Sequence, residues 1–442
     1  MSKLKKQLTS AQIIILGFAA VILIGTLLLM LPFSTQDGHS PLFSDALFTA
    51  TSAACVTGLV VHDTATYWST FGQAVIILLI QIGGMGVVTF AVAIEIFSGK
   101  KISLKQRSTM QEAISAPKVG GIVRLTGFIL KTTFLIELIA SIIMAPTFCK
   151  EFGPLKGIWY SVFHSISAFC NAGFDLMGCE TPYSSLTHFS NTPVINLTIM
   201  ALIIIGGIGF LTWDDITINK LNIKRYRMQS KIIIMMTSFL ILLPTLYFFF
   251  FEFSDTPVGE RIWISLFQAV TPRTAGFNTT DLTMISEAGL ALMIFLMLIG
   301  GSPGSTAGGM KTTTLAVMLS TSISVFRHNE DTQFFGRRIT PDGVRNTITI
   351  ATMYCTLFFS GGLIISRVED LPLLTCLFET ASAVGTVGLT LGITPQLGLL
   401  SHSILILLMY LGRVGGLTLI FAALSNRRVS PVKLPQEKLT VG

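Results

Sequence analysis

The chain is poor in charge and lacks the pairings that would mark a soluble enzyme or a disulfide scaffold. Of its 442 residues only 12% are charged and 51% are hydrophobic, and mean hydropathy is +0.71. That is too apolar for a soluble domain and too well mixed for a disordered one. The six cysteines form no CxxC pair and lie mostly in or beside apolar runs, so they read as packing residues, not as a metal site or disulfide framework. No small-residue cleavage site follows the first apolar run, which continues into "LPFSTQDGHS" and reads as a retained span, not a signal peptide. A phosphate-binding loop is missing too. "GSTAGGMKT" from Gly304 carries an extra Met310 before Lys311 and follows an apolar span where a strand would be required.

What the chain has is apolar length. A bilayer core of ~30 Å needs ~20 residues of helix, and runs of that order fall near 11–32, 71–97, 122–147, 192–213, 231–252, 286–325, 345–366 and 400–424. Eight crossings are expected. The net charge of +7 does not signal a nucleic-acid partner, because the basic residues sit in alternate loops. The N-terminus (Lys3, Lys5, Lys6), the 98–121 loop (Lys100, Lys101, Lys105, Arg107, Lys118), the 214–231 loop (Lys220, Lys224, Arg225, Arg227, Lys231), the 326–345 loop and the tail from Arg427 hold 21 of the 30 Lys and Arg. The positive-inside rule makes these segments cytoplasmic, with both termini inside a multi-pass inner (cytoplasmic) membrane protein.

Four shorter segments between the crossings align with one another: "ALFTATSAACVTGLVV", "SVFHSISAFCNAGFDL", "SLFQAVTPRTAGFNT" and "CLFETASAVGTVGLTLG". Each opens on Phe48, Phe163, Phe267 or Phe378, places Ser52, Ser167, Thr271 or Ser382 four residues on, and reaches Gly58, Gly173, Gly276 or Gly388. The third is one residue shorter and contains Pro272. The chain is one motif used four times: outer span, half-length helix, glycine-bearing strand, inner span. Two crossings per unit make the repeats parallel, suited to a ring about an axis normal to the membrane. The expected fold is an all-α membrane protein of four pseudo-repeats around a central pore, divided as 1–100, 101–220, 221–335 and 336–442. The inner spans share a further mark, "IGGMG", "IGGIG", "IGGSPG" and "LGRVGG". The first two are consistent with small-residue helix packing; the third breaks the helix, and the fourth carries Arg413.

Non-helical backbone at membrane depth is tolerated only when buried in protein or beside a watery path. Four such segments at one axis imply a pore, in which the backbone carbonyls of Val56-Thr57-Gly58, Asn171-Ala172-Gly173, Thr274-Ala275-Gly276 and Thr386-Val387-Gly388 replace the water shell of a cation. Isolated, such a segment would read as an ordinary helix end; four in register do not. The polar residues after each phenylalanine, Thr49, His164, Gln268 and Glu379, are expected to brace the filter backbone. No active site accompanies His164 and Glu379, so catalysis is not indicated.

With these segments and the broken "GGSPGSTAGGMK", the sequence resembles the Ktr/Trk/HKT superfamily of potassium transporters, specifically the KtrB-type bacterial membrane subunit, over nearly the whole chain. The resemblance implies potassium uptake, commonly sodium-dependent, by a homodimer with one pore per subunit in the lipid bilayer. It implies a cytoplasmic nucleotide-binding ring of KtrA type as regulator, and no organic cofactor. Four filter glycines go with potassium selectivity in that family. One glycine per repeat, against two in TVGYG, implies fewer coordinating layers.

The loop of Gly300, Gly301, Ser302, Gly304, Ser305, Thr306, Gly308, Gly309 and Lys311 is expected to be a flexible gate beneath the filter, the role the resemblance also gives it. Arg413, deep in its span, is expected to put positive charge on the permeation path; the competing reading is a salt bridge to Glu137. Asp63 and Asp175, beyond filters on the outer side, are expected to concentrate cations. Two other functions remain open at this point: a secondary carrier binding an anionic solute at the broken helix, and a membrane ATPase. Parallel repeats weigh against the first and the failed phosphate-loop match against the second.

Overall fold

The structure is a computed structural model that describes residues 9–97, 102–114, 120–179, 181–416, 435 and 437. Lys3, Lys5, Lys6, Lys100, Lys101, Lys118 and the basic residues of the tail from Arg427 lie outside the described residues.

One succession of elements recurs four times. The first unit comprises α1 (Ser10–Leu29), the half-helix α2 (Phe43–Ala54), a short α3 (Thr64–Tyr67), α4 (Thr70–Met85) and α5 (Val87–Phe97), followed by α6 (Leu104–Ile114). The second has α7 (Ile122–Phe152), half-helix α8 (Pro154–Phe169), α9 (Pro193–Gly207) and α10 (Phe210–Asn219). In the third, α11 (Met228–Tyr247) runs on as a π-helical stretch through Glu252, then come half-helix α12 (Val258–Val270), α13 (Glu287–Leu298) and α14 (Thr312–Phe326). A small hairpin, β1 (Gln333–Phe334) with β2 (Arg337–Arg338), leads to α15 (Pro341–Glu369), half-helix α16 (Leu373–Gly385) and α17 (Leu399–Val414).

The four outer helices, α1, α7, the α11 run through Glu252, and α15, are each long and apolar enough to cross a membrane. Their ends are set locally: Thr9 and Gln12 form a reciprocal capping box at the start of α1, at 3.0 and 3.2 Å. The half-helices have 12, 16, 13 and 13 residues. At 1.5 Å per residue they reach only about 18–24 Å and stop short of a full crossing. The four phenylalanines that open the repeat motif are all 0% exposed, so each half-helix is locked in place by a large apolar side chain.

The inner helices differ from expectation. Besides the third, the first two also break: α4 and α5 meet at 99° and α9 and α10 at 97°. The breaks fall at Gly86 (φ 86°) and Gly209 (φ 91°), backbone conformations that a Cβ disfavours. Small-residue packing is present as well, three residues earlier in the motif. A Cβ on Gly83, Gly206 or Gly412 would stand 2.1, 2.1 and 2.2 Å from the carbonyl oxygens of Ala54, Phe169 and Val384, at the ends of their half-helices. The shared glycine motif thus seats the inner helix on the half-helix and then ends it.

Candidate functional site

Each half-helix delivers its chain into a glycine-bearing strand by the same device. Val56, Asn171, Thr274 and Thr386, each two residues before the glycine, all have positive φ, between 52° and 71°. Three of the four are β-branched, for which this region is strained, and four such residues in register mark a backbone imposed by its surroundings. The next residue donates its N–H to the carbonyl of the shared hydroxyl residue: Thr57 to Ser52, Ala172 to Ser167 and Val387 to Ser382 at 2.8 Å, and Ala275 to Thr271 at 2.9 Å. The third repeat keeps the bond although it is one residue shorter. This is how it holds register despite Pro272.

The strands close into a ring. A Cβ on Gly58 would lie 2.5 Å from the carbonyl oxygen of Ala172, one on Gly173 2.7 Å from Ala275, one on Gly276 2.4 Å from Val387, and one on Gly388 2.1 Å from Thr57. Each glycine therefore abuts the following repeat, and the fourth abuts the first. Thr57, Ala172, Ala275 and Val387 are all 0% exposed. Among the described residues no backbone or side-chain donor reaches their carbonyl oxygens. Buried carbonyls are ordinarily paired, so this ring offers oxygen ligands to a partner from outside the protein, as a desolvated alkali cation requires.

The hydroxyl residues fasten the strands directly. Ser52 Oγ accepts from the Gly58 amide at 3.1 Å and Ser382 Oγ from Gly388 at 3.0 Å, while Ser167 Oγ donates to the Phe174 carbonyl at 2.7 Å and Thr271 to that of Phe277. The residues after the phenylalanines act one step further out. His164 accepts from the Leu176 amide at 3.3 Å and Glu379 from Thr390 Oγ1 at 2.9 Å, beyond the glycines; neither amide atom of Gln268 has a partner. Asp63 is engaged rather than free. It caps α3 through the amides of Ala65 and Thr66 at 3.0 Å and accepts from the Tyr183 amide at 2.9 Å. Asp175 accepts from the Met177 amide at 3.0 Å and is half-buried.

The loop of the third inner helix is well tied. Gly300 donates to the Met310 carbonyl at 2.7 Å, closing its base, and the Ser302 and Thr306 amides donate to Gly207 and Gly206 at 2.9 and 3.3 Å. The latter two are orphan carbonyls left where α9 ends. Ser305 Oγ bonds the Ser302 carbonyl at 2.7 Å, and Lys311 Nζ donates to Ala307 and Gly308 at 2.9 and 3.0 Å. Gly308 lies against Thr386, Gly309 against the Gly385 carbonyl, and Gly301 against Ala307. The Gly304 carbonyl accepts from the Phe210 amide, at the start of α10, at 2.7 Å.

Arg413 forms no salt bridge with Glu137, whose carboxylate accepts from Gln81 at 3.0 Å. Its guanidinium instead donates to backbone carbonyls: Thr306 in the loop, and Gly83 and Gly84 in the last turn of α4, the last at 3.0 Å. It sits in the final turn of α17; the second half of the expected span, from residue 417, lies outside the described residues. Arg413 and Lys311 both line a cavity of about 310 Å³, together with Ile114, Gly304, Ser305 and Gly309.

Four half-helices whose strands close into a ring, carried on apolar spanning helices, define a multi-pass membrane transport protein. Comparison with known proteins gives the family: the TrkH description, cation transport protein, matches residues 5–431. The chain belongs to that family, and it is a transporter, not an enzyme. It is 39% identical over 451 residues to the potassium/sodium uptake protein NtpJ of Enterococcus hirae, covering 100% of this chain and 99% of that relative. It is also 39% identical over 440 residues to the Ktr system potassium uptake protein B of Bacillus subtilis, covering 98% and 97%. The crystal structure of the potassium transporter TrkH from Vibrio parahaemolyticus superposes with a TM-score of 0.74 at 19% identity, over 98% of this chain and 87% of the other. That likeness concerns the fold.

Proposed function

We propose that the chain is the ion-conducting subunit of a potassium uptake system, with the ring of Gly58, Gly173, Gly276 and Gly388 as its selectivity filter and the loop from Gly300 to Lys311 as its gate. The observation that carries this reading is the set of four buried, unpartnered carbonyls at Thr57, Ala172, Ala275 and Val387, each against the next repeat's strand. A cation entering the ring exchanges water oxygens for carbonyl oxygens held at fixed spacing, which sets the preference among ions of different radius and hydration cost. The uptake functions of the two 39%-identical relatives support potassium as the transported ion and sodium as a second ion to test. Repeats bounded at 1–100, 101–220, 221–335 and 336–442 each contain one outer helix, one half-helix and one filter strand.

The reading extends to assembly: a homodimer with one pore per subunit, both termini cytoplasmic, and a nucleotide-binding ring docked on the basic cytoplasmic face. The name of the Bacillus subtilis relative, a component of a Ktr system, supports a multi-subunit complex. The test is potassium tracer uptake into cells that lack their own potassium systems, with sodium present or omitted and with or without an uncoupler. Sodium-stimulated potassium uptake is expected; expression without potassium uptake in any condition would overturn the reading.

A further inference from the structure

Filter and gate are not independent in this molecule, because one buried side chain touches both. Asn171 is the positive-φ residue of the second strand, and it alone of the four carries a side-chain amide. Its Nδ2 donates toward the third strand, to Thr274 Oγ1 at 3.2 Å and the Arg273 carbonyl at 3.4 Å. Its Oδ1 lies 3.4 Å from the hydroxyl of Thr306, in the loop of the third repeat. The one hydroxyl hydrogen of Thr306 is shared between that Oδ1 and the carbonyl of Phe169, the final residue of α8, which lies 3.0 Å from Oγ1. Asn171, Thr274 and Thr306 are all 0% exposed, so water does not compete for these bonds.

A second feature shows that the site is built for this contact. A Cβ on Gly206 would stand 2.1 Å from the Phe169 carbonyl oxygen, 2.8 Å from Thr306 Oγ1 and 2.9 Å from Asn171 Oδ1. The absence of a side chain there lets three groups from half-helix, filter strand and loop converge on one point. The loop meets the filter a second time in the fourth repeat, where Gly308 packs on Thr386, again the positive-φ residue of its strand.

We infer that Asn171 is a specificity-positioning residue whose amide couples the seating of the loop at Thr306 to the shape of the second and third filter strands, so that the ion preference of the pore depends on whether the loop is seated. The inference rests on the proposed roles of filter and loop. When Thr306 leaves, Asn171 Oδ1 loses its share of that hydrogen and its amide is less restrained, which loosens its hold on Thr274 and the strand turn at the same time. A seated loop therefore holds the filter in its discriminating form, and an unseated one loosens it.

The test is a double-mutant cycle on the full-length protein in proteoliposomes, reading both potassium flux and the potassium-to-sodium uptake ratio per folded protein. Thr306→Val removes only the hydroxyl; it is expected to raise flux and lower the ratio about fivefold, the size of one lost hydrogen bond. Thr306→Ser keeps the hydroxyl and is expected to retain the wild-type ratio. Adding Thr306→Val to Asn171→Leu is expected to lower the ratio no further than Asn171→Leu does alone. If Thr306→Val does not assemble, Thr306→Ala carries the same expectation. Raised flux with an unchanged ratio, or effects that multiply in the double variant, would overturn the coupling. Gly58→Ser measured alongside separates the two levels. If it lowers the ratio while Thr306→Val does not, only the coupling falls; if it too leaves the ratio intact, filter and coupling fall together.

Discussion

Gly388 faces the carbonyl oxygen of Thr57 so closely that a Cβ would stand 2.1 Å from it, joining the last repeat to the first. The corresponding distances at the other three junctions are 2.4, 2.5 and 2.7 Å. Alanine at each glycine should therefore widen the ring in a graded way. The loss of potassium-to-sodium discrimination is expected to be largest for Gly388→Ala and smallest for Gly173→Ala. Uptake ratios in the four variants check the order.

If the loop is the gate, shortening it around Ser302–Thr306 should raise potassium flux severalfold with normal assembly, and, because the contact from Thr306 to Asn171 goes with it, should also lower the potassium-to-sodium ratio. If the glycines only serve helix packing, folded yield and flux should fall together. Flux per folded protein distinguishes the two.

Arg413 is bonded to the loop at Thr306; its proposed second role is to charge the passage, and the two separate on substitution. Arg413→Ala removes a charge worth on the order of a few kcal/mol against a nearby cation at an effective dielectric of about 20, and also the bonds to Gly83, Gly84 and Thr306. Arg413→Lys keeps the charge and loses the planar fork. Flux should rise in both, more for alanine, and combining Arg413→Ala with the shortened loop should give less than the product of the separate gains. A lysine variant with wild-type flux would leave only the electrostatic role.

Glu369, the last residue of α15, accepts from the Gly398 amide at 2.9 Å and from the Ser401 hydroxyl, capping α17 from another helix. Glu252 does the same for α13, accepting from the amide and hydroxyl of Ser286 at 2.6 and 2.8 Å. Replacing either with alanine should cost about 1–2 kcal/mol, read as a lower thermal unfolding midpoint in detergent without a change in ion preference.

The hairpin between α14 and α15 exposes Arg338, paired to Asp331 at 3.1 Å, beside Arg337. Charge reversal at Arg337 and Arg338 should weaken co-purification with a nucleotide-binding ring while leaving assembly in the membrane intact. A subunit that runs alone in its native membrane under all conditions would remove the partner.

The repeat was legible because its markers are local: a buried phenylalanine, a hydroxyl four residues on, a glycine at nearly constant spacing. The break of the third inner helix was legible in its glycines, serines and proline. The right-angle bends after Met85 and Gly207 were not: α5 is as apolar as α4, and beyond Gly207 the chain stays apolar through Phe210 and Leu211 before Asp214 and Asp215. The signal was present in the last glycine of each motif, Gly86 and Gly209, which reads equally well as packing. Nothing in the sequence marked Val56, Thr274 or Thr386 for positive φ, because β-branched residues avoid it and only closure of the ring imposes it. The partners of Arg413 were hidden for a related reason. They are backbone carbonyls up to 330 residues away, which carry no side-chain signature.

The most direct measurement is the potassium-to-sodium uptake ratio in proteoliposomes holding folded Gly58→Ser or Gly276→Ser. A serine at either position places a Cβ within 2.5 Å of the adjoining carbonyl and adds a competing hydroxyl. The ratio is expected to fall roughly tenfold, equivalent to ~1.4 kcal/mol, with normal folded yield. An unchanged ratio in both variants would mean that the ring is not the filter.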